Sequence, residues 1–270
     1  MMTDRPVALV TGASRGIGAA TAQELARRGY RVAIVARGAE ALGAVAERIG
    51  EAGDEALVLS GDLADLGFAE STVRRTVERW SRLDLLVNNA MWRELVTMRR
   101  ITLESWERTL RVCLTAPAFL ARWAAEIMEP QGGGVIINVS SIVSERVSGV
   151  GPAYIAAKGA LNSLTYELAV LYGPVGIRVV AVNPGAIDTA GSADYTDDEG
   201  ESITTEMRQS TEDHIPLGRW GTAAEIACTI ALLAGDDARY ITGTTIVADG
   251  GWQHNLLSRS LRRKMYPEEF

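Results

Sequence analysis

The sequence predicts an α/β fold in which helices cover both faces of a parallel sheet. Short apolar runs alternate with helix-forming segments along the chain, as in strand–helix–strand crossovers. The apolar runs have few polar interruptions, which is typical of strands buried on both faces. A glycine-rich turn, Gly12 to Gly18, follows the first run, where such folds pass from strand to helix.

The first strand, Pro6 to Val10, leads through Thr11 and the glycine-rich turn into an alanine-rich helix that ends near Arg28. Glycines permit a tight turn, close approach of the backbone to a phosphate, and contact between helix and strand. The helix N-terminus would then bind the pyrophosphate of a dinucleotide. An ordinary glycine turn is the alternative. The candidate cofactor-binding residues here are Gly12, Ser14, Arg15, Gly16, Ile17 and Gly18.

The second strand, Arg31 to Ala36, precedes a helix from about Ala39 to Ala52. In dinucleotide-binding folds an acidic residue at the end of this strand binds the adenosine ribose hydroxyls. Here the strand ends in alanine and is followed by Arg37, and Arg15 lies in the first turn. Two guanidinium groups suit a 2′-phosphate, so we expect NADP rather than NAD. Alternatively, Arg37 only caps a surface loop.

The next elements are a strand at Leu57–Ser60, a helix at Asp65–Trp80 and a strand at Leu85–Val87. Asp62 and Leu63 follow the first of these strands, and Asn88, Asn89 and Ala90 follow the second. The asparagine amides can bind the backbone of neighbouring strands or a ribose. A simple turn closed by an asparagine side chain is the alternative.

A later stretch holds the candidate catalytic residues Ser141, Tyr154 and Lys158. Ser141 follows an apolar strand at Val135–Val139, and the other two residues are four apart at the start of a helix, which places them on one face. A cation beside the phenol is expected to lower its pKa, so that it exchanges a proton near neutral pH. Only two of the 27 basic residues are lysines. A compact ammonium is therefore unusual in this chain, which favours a function for Lys158 over chance.

Composition excludes several classes of protein. The 270 residues are 47% hydrophobic, enough for one large domain. The net charge of −7 argues against general binding to nucleic acid or anionic membranes. No leader or membrane span is recognisable, so we expect a cytoplasmic protein. Two isolated cysteines and two isolated histidines offer no metal site and no histidine-based triad.

Taken in order, these segments, together with Asn183-Pro184-Gly185, resemble the short-chain dehydrogenase/reductase family over Pro6 to Gly251. The resemblance is nearest to the 3-oxoacyl-thioester reductase branch. It implies one Rossmann-type domain, residues 1–251, with seven parallel strands, a nicotinamide cofactor and a homotetramer. Helices at about Thr102–Met128 and Ala153–Tyr172 would pack between subunits.

The resemblance also implies roles for individual residues. Ser141 would position the substrate, Tyr154 would be the acid/base, and Lys158 would bind the nicotinamide ribose and lower the tyrosine pKa. The adenine and its ribose would lie by Asp62, Leu63, Asn89 and Ala90. The nicotinamide carboxamide would be covered by Pro184, Gly185, Ile187 and Thr189.

Two residues depart from the family pattern. Cys113 stands where an asparagine usually holds a water linked to the lysine, and a thiol cannot reproduce an amide. Met91 stands where the family has glycine. We expect activity to be retained, because the serine, tyrosine and lysine are present.

The substrate is expected to contact Trp92 and Arg93, residues 142–147, Ala186 and a mobile loop at about 190–215. Glu145 and Arg146 are expected either to contact the substrate or to pair with each other. The extension at residues 252–270 is expected to fray, or to dock across a subunit boundary.

The leading hypothesis is an NADP(H)-dependent oxidoreductase that interconverts a secondary alcohol and a ketone. A family member that couples hydride transfer to isomerisation or elimination is one alternative. Another is a cofactor-binding redox sensor or scaffold that has lost catalysis through Cys113. The sequence does not identify the small-molecule substrate.

Overall fold

A seven-stranded parallel sheet forms the centre of the protein, as expected. The computed structural model describes residues 5–189, 195–197 and 199–269. The strand order is β3-β2-β1-β4-β5-β6-β9, and a separate two-stranded sheet pairs β7 with β8. The strands are β1 (Val7–Thr11), β2 (Arg31–Ala36), β3 (Ala56–Ser60), β4 (Leu85–Asn88), β5 (Gly134–Val139), β6 (Ile177–Pro184), β7 (Ile187–Asp188), β8 (Gly221–Thr222) and β9 (Thr244–Ala248).

Helices cover both faces of the large sheet. They are α1 (Gly16–Arg27), α2 (Ala39–Glu51), α3 (Leu66–Trp80), α4 (Leu103–Leu110), α5 (Ala116–Met128), α6 (Pro152–Tyr172), α7 (Thr204–His214), α8 (Ala223–Ala234) and α9 (Arg259–Met265). In β1, Ala8 and Val10 pack in the core that α1, α2 and α8 share. Val7 and Leu9 pack on the opposite face with α3, α5 and α6. Because successive side chains of a strand point to opposite faces, each strand must be apolar throughout.

The direction of winding reverses at β1. This strand pairs with β2 on one side and with β4 on the other. At such a reversal the connections leave toward opposite sides of the sheet, which opens a crevice at the carboxyl ends of the strands. The glycine-rich turn after β1 and the asparagines after β4 therefore lie at the edge where ligands bind in this architecture.

The helix predicted from Thr102 to Met128 is interrupted. Residues 111–115 form a π-helical segment between α4 and α5. Pro117 lies in the first turn of α5 and has no N–H to donate to the carbonyl four residues earlier, at Cys113. The widened turn accommodates that loss.

The C-terminal extension folds onto its own chain instead of fraying. Ser258 caps α9 by accepting from the N–H of Leu261 at 3.2 Å. Ser260 donates from its backbone N–H and its hydroxyl to Asp213 at 2.8 and 2.6 Å. Asn255 donates to the carbonyl of His214 at 2.7 Å. The extension is thereby attached to α7, and the expected docking across a subunit boundary stays a prediction.

Within the described ranges, none of the helices combines the length and apolar character needed to cross a bilayer.

Candidate active site

A cleft of about 930 Å³ opens at the carboxyl edge of the large sheet. It is lined by the three candidate catalytic residues and by all but one of the candidate cofactor-binding residues. The exception is Gly18, which lies beneath the turn. A Cβ there would come 2.3 Å from the carbonyl oxygen of Gly12. Gly18 thus permits the contact of helix and strand on which the shape of the turn depends.

The glycine-rich turn has the geometry of a phosphate site. Gly12 and Gly16 have φ values of 66° and 56°, in the left-handed region that disfavours other residues. A Cβ on Gly12 would lie 2.8 Å from the Cα of Ala90. Among the residues that the structure describes, no side chain caps the first turn of α1, so its N–H groups are available to an anion. These residues fit the pyrophosphate of a dinucleotide.

Thr11 and Asn89 join the ends of β1 and β4. The Asn89 amide donates to the carbonyls of Thr11 and Gly12 at 2.9 and 3.2 Å. The Thr11 hydroxyl accepts from the N–H groups of Asn89 and Ala90 at 2.9 and 3.0 Å. Asn89 therefore binds the backbone of a neighbouring strand and fixes the turn, one of the two functions expected for this amide.

The end of the cleft where the adenosine is expected carries two cations. Arg15 and Arg37 both line it, and both are exposed. Neither forms an ion pair within the described part of the chain. Asp62 is already bound, because it accepts from Arg108 at 2.7 Å. A 2′-phosphate would therefore meet free guanidinium groups rather than a free carboxylate.

The three candidate catalytic residues converge at the inner end of the cleft. Gly151, at φ 74°, directly precedes α6, and Tyr154 and Lys158 lie in the first turns of that helix. The Lys158 Nζ lies 5.5 Å from the centroid of the Tyr154 ring and donates to the carbonyl of Val139 at 2.6 Å. Ser141, just beyond β5, is near enough to act on the phenol by hydrogen bonding.

The pKa of Tyr154 differs in direction from the sequence expectation. Burial raises it, and the electrostatic interaction with Cys113 adds to the rise. The Arg93 guanidinium and the Ser141 hydroxyl oppose this increase. Burial also lowers the pKa of Lys158. Desolvation disfavours the charged form of both groups, so the expected lowering of the phenol pKa by this lysine is not seen here.

A polar cluster behind Ser141 was not predicted. Ser144 donates to the carbonyl of Ser141 at 2.7 Å and accepts from the amides of Asn162 and Asn183 at 3.0 and 3.2 Å. The two amides come from α6 and β6 and are buried. The cluster holds the backbone of Ser141, the candidate catalytic serine, between two elements. An Asn or Ser on an otherwise apolar element was the only signal of it in the sequence.

Known proteins similar to this chain share one architecture. The family model described as enoyl-(acyl carrier protein) reductase matches residues 12–253. The chain belongs to the short-chain dehydrogenase/reductase family. An L-rhamnose 1-dehydrogenase (NAD(P)+) of Azotobacter vinelandii is 38% identical over 95% of this chain and 99% of its own. A 3-oxoacyl-[acyl-carrier-protein] reductase of Staphylococcus aureus is 37% identical over 90% of this chain and 96% of its own.

Solved structures agree with this family. A short-chain dehydrogenase/reductase from Serratia marcescens is 36% identical, with a TM-score of 0.85 over 92% of this chain and 98% of its own. Membership places the chain among the NAD(P)-dependent oxidoreductases of alcohol and carbonyl groups. The predicted family and Rossmann-type fold are thus confirmed.

Of the two departures of this short-chain dehydrogenase/reductase from the family pattern, one lines the cleft and the other is buried beside Tyr154. Cys113 is fully buried, and its Sγ contacts the backbone N and O of Trp92 at 3.4 and 3.3 Å. Met91 lines the cleft and is 47% exposed. The thiol therefore binds the loop that follows β4, whereas Met91 borders open space.

The segment that is predicted to cover the nicotinamide half is described in part. Pro184, Gly185, Ile187 and Thr189 line the cleft as expected. Residues 190–194 and 198 of the predicted mobile loop lie outside the described residues, and the mobility of the loop stays a prediction. Beyond them, α7 contributes Met207 and Thr211 to the lining.

Glu145 and Arg146 contact the C-terminal extension rather than each other. Gln253 donates to Glu145 at 2.5 Å, and the Arg146 guanidinium lies 5.6 Å from the ring of Trp252. Trp252 itself lines the cleft, so the extension contributes to the wall of the site.

Proposed function

We propose that the protein is an NADP(H)-dependent oxidoreductase that interconverts a secondary alcohol and a ketone, with Tyr154 as the acid/base. The observation that carries this proposal is the convergence of Ser141, Tyr154 and Lys158 in the same cleft as the glycine-rich turn. The names of the relatives support oxidation and reduction but differ in substrate.

NADPH, when bound, supplies the hydride that forms the new C–H bond. In reduction, Tyr154 gives its phenolic proton to the carbonyl oxygen, and in oxidation it takes the proton back from the alcohol. The Ser141 hydroxyl donates a hydrogen bond to the same oxygen and fixes its position. Lys158 is assigned to the ribose of the nicotinamide half.

Removal of the acid/base tests the proposal. Purified protein is expected to consume NADPH with members of a ketone panel, while Tyr154→Phe lowers kcat by at least about 100-fold, since general acid–base catalysis contributes this much. The same substitution at another tyrosine of α6, Tyr166→Phe, is the control, because Tyr166 is exposed and does not line the cleft. Unchanged turnover in Tyr154→Phe would refute the assigned role.

We also propose a homotetramer. The support is an apolar patch on the outer face of α6, where Val170 and Leu171 are 78% and 58% exposed. Aliphatic side chains this exposed on adjacent positions favour burial against another subunit.

A further inference from the structure

Arg93 occupies an unusual place in the cleft. It follows β4, is half-buried, and its guanidinium carbon lies 5.6 Å from the centroid of the Tyr154 ring. Lys158 lies 5.5 Å from the same centroid. The proposed acid/base therefore has two cations close to its ring, and only one of them has an assigned role.

The other cations along the cleft are engaged or distant from the reacting end. Arg108 pairs with Asp62, and Lys158 donates to a backbone carbonyl. Arg15 and Arg37 lie by the turns after β1 and β2, at the adenosine end. Within the described residues, Arg93 forms no ion pair and no side-chain hydrogen bond. A half-buried guanidinium has five N–H donors, and these are left for a ligand.

Apart from Lys158 and the Arg108–Asp62 pair, the described residues that line this part of the cleft with Arg93 are uncharged. The apolar and aromatic residues that border the substrate end of the cleft are Met91, Leu95, Val143, Val150, Met207 and Trp220. A guanidinium bordered by apolar groups binds an anion more strongly than it would in water, because the surroundings screen the charges less. Guanidinium binds carboxylate through two parallel hydrogen bonds, which also fixes orientation.

We propose that the substrate of this enzyme carries a carboxylate a few bonds from its reacting carbon, and that Arg93 binds this group. Ser141 and Tyr154 hold the carbonyl or alcohol oxygen at the other end. The substrate class is an oxo acid or the corresponding hydroxy acid. This inference rests on the proposed oxidoreductase function and adds the identity of the charged group.

Binding of the carboxylate also has a consequence for the acid/base. Arg93 opposes the rise in the pKa of Tyr154. A bound carboxylate neutralises the guanidinium and removes that opposition. The phenol then keeps its proton, which is the form that reduction of an oxo acid requires.

Matched acids and esters test the proposal. The probes are 4-oxopentanoate and 4-oxocyclohexanecarboxylate, each compared with its methyl ester, with NADPH oxidation as the readout. The wild type is expected to favour the acids in kcat/KM. In kcat/KM, Arg93→Leu is expected to lose about 10- to 100-fold more on the acids than on the esters, the effect of a hydrogen-bonded charge pair.

Two further variants complete the comparison. Arg93→Lys retains the charge without the planar fork and is expected to keep part of the preference for acids. Arg99→Leu removes an exposed arginine nearby that does not line the cleft, and it is expected to behave as the wild type. Circular dichroism checks that each variant is folded, and Arg93→Gln replaces Arg93→Leu if the latter is not.

A binding measurement separates this proposal from the oxidoreductase function. Calorimetry with cyclohexanecarboxylate in the presence of NADP+ needs no turnover. If cyclohexanecarboxylate binds to the wild type and not to Arg93→Leu, the carboxylate site is supported, whether or not a ketone is reduced. If binding is seen but no ketone is reduced, only the oxidoreductase function is refuted. Equal kcat/KM for acids and esters in the wild type would overturn the proposal. An equal loss on both in Arg93→Leu would overturn it too, since Arg93 would then act through Tyr154.

Discussion

At the scale of single residues, Cys113 is the departure with the most direct effect on the proposed chemistry. Its electrostatic interaction with the phenol raises the pKa of Tyr154, and its Sγ contacts the backbone N and O of Trp92. An amide offers both a donor and an acceptor without a charge. Asparagine at this position would therefore satisfy the same backbone groups and remove the repulsion.

We expect Cys113→Asn to shift the pH profile of alcohol oxidation. Oxidation needs the phenolate, so its kcat/KM rises as pH passes through the pKa of Tyr154. Without the interaction with Cys113 that pKa falls, and the rise should move to lower pH. Cys228→Ser, an exposed cysteine on α8, is the control. A midpoint that stays constant or moves upward in Cys113→Asn would contradict the electrostatic argument.

Arg37 should determine the choice of cofactor. It has no described ion-pair partner, and the strand before it ends in alanine where NAD-binding folds place a carboxylate. Arg37→Ala is expected to weaken NADPH binding about 10-fold and to leave NADH binding unchanged, since a charge-assisted hydrogen bond contributes about 1.5 kcal/mol or more. Fluorescence titration measures both constants, with Arg48→Ala on α2 as control. Equal weakening of both cofactors would count against a 2′-phosphate site.

At the scale of elements, α8 begins with a charged cap. Glu225 accepts from Arg219 at 2.6 Å and from the backbone N–H of Thr222 at 2.8 Å. Thr222 in turn accepts from the N–H of Glu225, which completes a capping box. The Arg219 hydrogen bond, followed by that of Thr222, lowers the pKa of Glu225 from 4.5 to about 2.

The cap predicts how stability depends on pH. Folding lowers the pKa of this carboxyl, so the carboxyl stabilises the folded protein at pH values above its pKa in the unfolded chain. This contribution is lost as the pH falls through the pKa that the carboxyl has in the folded protein. Glu225→Gln should therefore be about 0.5–1 kcal/mol less stable at pH 7, because the pair is exposed to solvent. The difference should shrink between about pH 4.5 and 2. Urea unfolding at several pH values measures it, with the exposed Glu47→Gln as control, and a difference independent of pH would contradict this account.

The elements also show what the sequence could and could not predict. The strand at Arg31–Ala36 was predicted with its observed bounds, because an apolar run between polar turns has few other structures. The π-helical segment was not predicted, because its cause is one missing backbone N–H within a sequence that otherwise favours a continuous α-helix. Tyr154 and Lys158 follow from their spacing on α6. The position of Arg93 over the Tyr154 ring does not follow from the sequence, because tertiary contacts determine where a loop residue lies.

At the scale of the whole molecule, the apolar patch on α6 predicts self-association. Val170→Glu would place a charge in the proposed subunit interface without a partner, which is costly when buried. We expect the mass in solution to fall from a tetramer to half or less, as measured by light scattering. Leu256→Glu, on the extension and 88% exposed, is the control. A tetramer that persists in Val170→Glu would exclude this surface as the subunit interface.

The cytoplasmic location stays a prediction.

The widened turn at residues 111–115 contributes Cys113 to the site, while the helices on either side of it, α4 and α5, pack in the rest of the fold. A π-helical turn holds one residue more than a regular turn needs. Deleting that residue would let the helix continue regularly while α4 and α5 keep the faces they bury. The position beside Tyr154 that Cys113 fills would disappear. Insertion or deletion of one amino acid is thus a route by which evolution could add or remove this site without rebuilding the sheet.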